Sequence, residues 1–405
     1  MIECDLDNGV LVVGGGIGGL ATALGLVRAG RKVVVVEQAG EFGEIGAGLQ
    51  LGPNATRILA SWGLLDQVRA AGVAPENIAM RDAISGAEIA RLPLGPDFRA
   101  RYGTPYVVIH RTDLHAILLD ACRRAGVELL TDVRIDRVDT TDTGTVAHAA
   151  DGRTFAAAAT IGADGLRSVL RQAIVGDELQ PSGYVAYRGT VPVGEVPAGD
   201  RELDDVLVWA GPGCHLVQYR LRSGEVLNQV AVFESPGFLR GEADFGGVDE
   251  LEAAFAECHP QVRAAIGHIG KQRRWPLYDR LPADDWGHDR LVLTGDAAHP
   301  MLQYLAQGCC QALEDANTLE TLVRDGTGAV EWPEVIRRFT EARIPRTAEV
   351  QTKARMFGEI CHARGVHRHL RNELLDRLDT ADLYEHADWV YRGPLFVPVP
   401  EPVHS

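Results

Sequence analysis

Bare backbone stands where a phosphate would need it: Gly14, Gly16 and Gly19 follow the apolar run 10–13 and lead into a series at helical spacing, Ile17, Leu20, Leu24 and Val27. Glycine at these positions permits a tight turn, lets N–H groups approach a pyrophosphate and packs helix on strand. Glu37 closes the next apolar run, 32–36, where an acid can accept hydrogen bonds from a ribose. The pattern reads as a dinucleotide-binding turn, against the plainer alternative of a glycine-rich turn that binds nothing. Two further apolar runs end on an aspartate, at Asp164-Gly165 and at Gly295-Asp296-Ala297-Ala298-His299. His215 and Tyr219 lie four apart in a strand-like run, which puts them on one face; spacing alone suits a satisfied core pair better than a site. Arg188 could hold a carboxylate or make a fold-stabilising ion pair. Gln303 could cap backbone groups in its loop. Vicinal Cys309 and Cys310 read as small packing residues rather than a redox pair. His362, His367 and His369 read as one basic, solvated helix face rather than a metal set.

The elements that position these residues follow from periodicity. Residues 9–37 form a βαβ unit, with Gly30 stopping its helix, and so open a parallel sheet. One amphipathic helix is expected over 53–68 and another over 111–125, the latter with Thr112 as N-cap and Gly126 as stop. Over 183–274 helical spacing gives way to short alternating runs, with a meander at 206–210, 214–221 and 226–233 and then a helix over 248–265. α/β character returns with a strand at 291–294 and a helix over 309–323. The predicted organisation is a Rossmann-like α/β nucleotide-binding domain (1–182 and 275–345), an inserted antiparallel β-sheet domain (183–274, joined by a stretch near 75–100), and a C-terminal helical cover (346–405).

Composition narrows the partners. The 405 residues carry 40 basic and 56 acidic side chains, a net charge of −16, which opposes binding to nucleic acid or anionic lipid. No run of about 18 apolar residues is present and the N-terminus is acidic, so a cytoplasmic protein is expected. Seven scattered cysteines without a CxxC pair read as free thiols, with no metal site.

The glycine turn, the Asp164-Gly165 pair and the 295–299 run together resemble the FAD-dependent aromatic hydroxylases of the para-hydroxybenzoate and salicylate hydroxylase type, through nearly the whole chain. The resemblance implies tightly bound FAD, with Gly14, Gly16, Ile17, Gly19, Glu37 and Ala47 along it. Asp296 would meet its ribityl chain, Asp164 its pyrophosphate, Arg111 its flavin side and Val133 its adenine. A helix starting behind Gly308 would aim N–H groups and a positive dipole end at the reduced flavin. With one dinucleotide fingerprint only, NADH is implied as a transient co-substrate. The stretches 41–50, 213–219 and 299–305, with Gln303 and Ala306 where many relatives carry Pro and Gly, point to a subgroup acting on 3-hydroxybenzoate. In that subgroup His215, Tyr219 and Gln303 line the aromatic acid. His215, at an ordinary pKa of roughly 6.5, would be the base, Tyr219 would orient the ring, and Gln303 would bond substrate or peroxide. The implied activity is para-hydroxylation of 3-hydroxybenzoate to 2,5-dihydroxybenzoate with O2 through a C4a-hydroperoxyflavin, in a homodimer. The alternatives are a salicylate or other aromatic-acid hydroxylase, a flavin reductase or epoxidase, and a non-catalytic FAD-binding module.

Overall fold

A computed structural model describes residues 2–43, 46–196, 203–324 and 330–393; Glu44 and Ile45 of the 41–50 stretch, and the end of the expected helical cover, lie outside the described residues. The first sheet runs in the order Gly287–His288, Leu291–Leu293, Thr154–Gly162, Ile2–Val13, Val33–Val36, Glu128–Leu130. Ile2–Val13 pairs in parallel with Thr154–Gly162 and Val33–Val36. The four consecutive valines 33–36 are all buried, as a strand covered on both faces requires. Helices Ile17–Arg28, Arg111–Arg124 and Gly308–Arg324 pack together in this layer, and their apolar faces form the largest core with the central strands.

The second sheet has seven strands in the order Arg274–Asp279, Gln180–Pro192, Val226–Glu234, Cys214–Leu221, Val206–Gly211, Asn77–Asp82, Glu88–Pro93. Its one parallel pairing joins Val206–Gly211 to Asn77–Asp82. Helices Val248–Phe255 and Pro260–His268 cover one face through a separate apolar core that includes Trp209, Phe233 and Phe255.

Several local expectations change. The helix expected over 53–68 is two, Pro53–Ser61 and Leu65–Ala71, because Gly63 adopts φ +72° between them. The helix expected over 248–265 is also two, since Pro260 starts a new helix capped by His259. The N-cap of Arg111–Arg124 is His110, whose ring nitrogen accepts from Thr112 N, and not Thr112 itself. The expected helical cover is, among the described residues, three helices, Trp332–Cys361, Gly365–Asp376 and Thr380–Tyr391, the first of which begins before the expected boundary at 346.

Candidate active site

The second sheet's other face, the nucleotide-binding layer and the C-terminal helices enclose a cavity of about 970 Å³. Gly16, Ile17, Ala47, Arg111, Asp296 and Gly308 line it from one side, and His215, Tyr219, Gln303 and Arg188 from the other. Gly14, Gly19, Glu37, Val133 and Asp164 do not line this cavity, but the structure gives each a place around it. A Cβ on Gly14 would sit 2.3 Å from Ala163 O, and one on Gly19 1.9 Å from Gly14 O, so these two glycines close helix onto strand. Glu37 accepts from Gly15 N at 2.7 Å and Ala39 N at 2.9 Å, while Val133 N donates to Glu37 O at 2.9 Å; strand end and loop thus meet beyond the glycine turn. Asp164 accepts from Val169 N at 3.0 Å, the first residue of helix Val169–Ile174, and its buried Oδ1 has no partner.

The wall suits an anionic dinucleotide. Two helices, Ile17–Arg28 and Gly308–Arg324, start at the cavity; the first has no side chain capping its N–H groups. Their positive ends, with the guanidinium groups of Arg111 and Arg188, give this cavity donors suited to phosphate or other anionic groups. Asp296, exposed into the cavity beside Gly308, can accept from hydroxyls. Behind it, His299 Nε2 meets Asp315 at 2.6 Å, and Gly295 N donates to the same carboxylate at 2.8 Å, so His299 ties the 295–299 loop to the helix below. Burial alone would raise Glu314 and Asp315. Arg343, bonded to both at 2.7 Å, with His299 beside Asp315 and Arg346 beside Glu314, holds them below the ordinary carboxylate range.

Opposite this wall, the strand Cys214–Leu221 presents His215, Val217 and Tyr219 to the cavity at every second position. Gly48 makes room for Tyr219: a Cβ there would lie 2.5 Å from its ring. Burial pushes the Tyr219 phenol up, so it stays a donor. Gln303 Oε1 accepts from Arg188, leaving the Gln303 amide N–H groups for a ligand. Arg188 lies 5.8 Å from the Trp275 ring centroid, and no carboxylate pairs with it among the described residues. The ion-pair reading of Arg188 therefore falls. Its pKa is lowered by burial and by Arg111, the state of a cation short of an anion.

Two sequence expectations are corrected here. Burial moves His215 to about 3, not the ordinary value of a solvated imidazole. His362 is not on a solvated face with His367 and His369; it is 5% exposed, and its Nε2 lies 2.7 Å from His215 Nδ1. Sequence reasoning missed it because the two rings are 147 residues apart in the chain. Tyr304, edge-on to both rings, was also missed, although it lies inside a stretch already singled out.

Comparison with known proteins adds to this geometry. Residues 7–198 match the family model described as FAD binding domain. The chain is 40% identical over 392 residues to the 3-hydroxybenzoate 6-hydroxylase of Polaromonas naphthalenivorans (strain CJ2), covering 96% of this chain and 97% of that one. It is 40% identical over 358 residues to the 3-amino-4-hydroxybenzoate 2-monooxygenase of Streptomyces cremeus, covering 88% and 89%. Among solved structures, Klebsiella pneumoniae HpxO complexed with FAD and uric acid superposes with a TM-score of 0.85 at 25% identity, covering 96% and 98%.

Proposed function

This chain belongs to the FAD-dependent aromatic hydroxylases, and on that premise we propose that it para-hydroxylates 3-hydroxybenzoate to 2,5-dihydroxybenzoate, consuming NADH and O2. The observation that carries the reading is one cavity in which His215 and Tyr219 on a single strand face, with Gln303 beside them, oppose Asp296 and the helix start at Gly308. Bound FAD supplies what the side chains lack, passage of two electrons from NADH to O2 and delivery of one oxygen atom to the ring. The chain's own residues hold FAD and prepare the ring. Ile17, Arg111, Asp296 and Gly308 hold the cofactor from one wall.

A phenol has a pKa near ~10, and the phenolate is the more electron-rich ring, so the hydroxyl must lose its proton near an accepting nitrogen. His215 is the residue for that step. Tyr219 donates to the ring substituent and sets its angle. Arg188 meets the carboxylate, which is the anion its unpaired charge calls for, and Gln303, oriented by Arg188, donates at the flavin end. Met356, Phe357, Leu375, Leu383 and Trp389 of the C-terminal helices add apolar lining to the cavity, which limits water there and favours oxygen transfer over loss of peroxide. NADH as reductant and a homodimeric assembly rest on the family resemblance.

The test is to incubate FAD-loaded protein with NADH, O2 and each monohydroxybenzoate, then identify the dihydroxy product and its ratio to NADH. Product from the 3-isomer alone supports the reading. Turnover of another isomer, or of 3-amino-4-hydroxybenzoate in its place, would move the assignment within the family; NADH oxidation without any hydroxylated product would end it.

A further inference from the structure

His362 ends the helix Trp332–Cys361 and is fixed there twice. Its N donates to Gly358 O at 3.0 Å, and its O accepts from Gly213 N at 3.0 Å, in the turn that leads into His215. The two imidazoles meet through Nδ1 of His215 and Nε2 of His362 at 2.7 Å, with ring centroids 4.9 Å apart. Tyr184 stacks on His362 at 4.3 Å, and Tyr304 closes the edge of both rings. His215 lines the cavity and His362 does not. Arg364, two residues on, has a side chain 57% exposed and pairs with Glu234.

We propose that His362 is a positioning residue that completes a two-imidazole relay, carrying the substrate's phenolic proton from His215 out of the cavity, toward the turn at Gly213. The hydrogen bond between the rings gives one nitrogen to a donor and the other to an acceptor. With His215 Nδ1–H donating to His362 Nε2, the free lone pair of His215 is at Nε2, available to the cavity. The substrate O–H bond breaks as N–H forms at His215 Nε2. The N–H at His215 Nδ1 breaks as N–H forms at His362 Nε2, and His362 releases its Nδ1 proton to water. The reverse passage returns a proton to the product's oxygen and restores both rings. No electrons change hands.

Burial answers why a second ring is needed. It brings His215 to about 3 and, with His215, Arg364 and Arg371 adding repulsion, holds His362 well below its ordinary value. Neither ring stores a proton near neutrality, so the proton must pass through. The other groups facing the pair are the phenols of Tyr184 and Tyr304, the Cys361 thiol, raised by burial to about 12, and Glu234, already held by Arg364. None of these supplies a resident base between the rings and the cavity.

The relay rests on His215 being the base proposed above, and the test reads ionisation rather than oxygenation. FAD-loaded protein is mixed rapidly with 3-hydroxybenzoate, without NADH, and appearance of the phenolate band is followed with release of a proton to an indicator dye. The His362→Gln variant keeps an acceptor for Nδ1–H but cannot pass a proton on. Its ionisation rate near neutrality should fall about 10²-fold, the scale of a lost general base, at unchanged ligand affinity and flavin spectrum. The deficit should close as the pH nears the phenol's own value. Ionisation at the parent rate in this variant overturns the relay, and so does a parent that leaves the bound phenol protonated. In mixed H2O and D2O the parent's rate should curve with deuterium fraction, because more than one proton is in flight; a straight line overturns the relay without any substitution. A parent that ionises the ligand but forms no dihydroxy product would refute the oxygenation reading while leaving the relay standing.

Discussion

Replacing Arg188 by methionine keeps the unbranched apolar stem of the side chain and removes the charged guanidinium. In the folded chain this guanidinium donates to Gln303, stands over Trp275, has an unpartnered Nε, and meets no carboxylate among the described residues. A cation so placed raises the free energy of the empty site, so losing it should leave the fold as stable or slightly more so. A bound aromatic carboxylate reverses the balance. At a separation of about 4 Å and an effective dielectric constant near 20, the attraction is roughly 4 kcal/mol. Allowing for desolvation of the ligand, about 2–4 kcal/mol of binding should be lost in Arg188→Met, a weakening of roughly 30- to 10³-fold. The assay is titration of FAD-loaded protein with 3-hydroxybenzoate, read from the flavin absorbance, beside a titration with plain phenol. Arg188→Met should weaken the acid and spare phenol, whereas Arg188→Lys should fall between, keeping charge but losing the planar fork. Equal weakening of acid and phenol, or parent affinity for the acid, would refute the carboxylate assignment; weakened FAD binding in place of either would assign the charge to the cofactor.

Gln303→Ala should leave NADH oxidation running but raise peroxide release per NADH several-fold, and an unchanged coupling ratio would remove this residue from the reaction. Because folding lowers the His215 pKa, its contribution to stability is fully present above the unfolded value of ~6.5 and is lost as pH falls from there toward about 3, to a limit of about 5 kcal/mol. Denaturation midpoints measured across that window should therefore fall more steeply in the parent than in His215→Asn; equal slopes would contradict the burial argument. Arg343→Met removes the cation shared by the buried Glu314 and Asp315, leaving each with one cationic or imidazole partner, Arg346 and His299, and should cost about 3–5 kcal/mol in urea unfolding, a result incompatible with a change below 1. Ala306 sits at φ +53°, so Ala306→Gly should stabilise the flavin-side loop by about 1 kcal/mol, and a lower thermal midpoint would argue that the alanine side chain contributes packing that glycine cannot replace.

The sequence alone determined what depends on neighbours along the chain. Gly14, Gly16 and Gly19 between apolar strand and helix specify a backbone geometry, and four successive valines specify a strand buried on both faces; such signals are written within a few residues. The alternation through 214–221 likewise placed His215 and Tyr219 on one side of a strand, because the pleat repeats every two residues. Helix ends were less legible, as at Gly63 and Pro260, where a continuing apolar period masked a break that backbone conformation imposed. Tertiary structure alone decided which charges have partners. Arg188 meets no carboxylate among the described residues because the sheet turns it into a cavity, and Glu314 has two cations because the helix Trp332–Cys361 brings Arg343 and Arg346 across it. It also decided the state of His215: burial removes the water that would stabilise its imidazolium, and the ring it meets there is His362, from a stretch whose own sequence reads as a solvated, basic helix face.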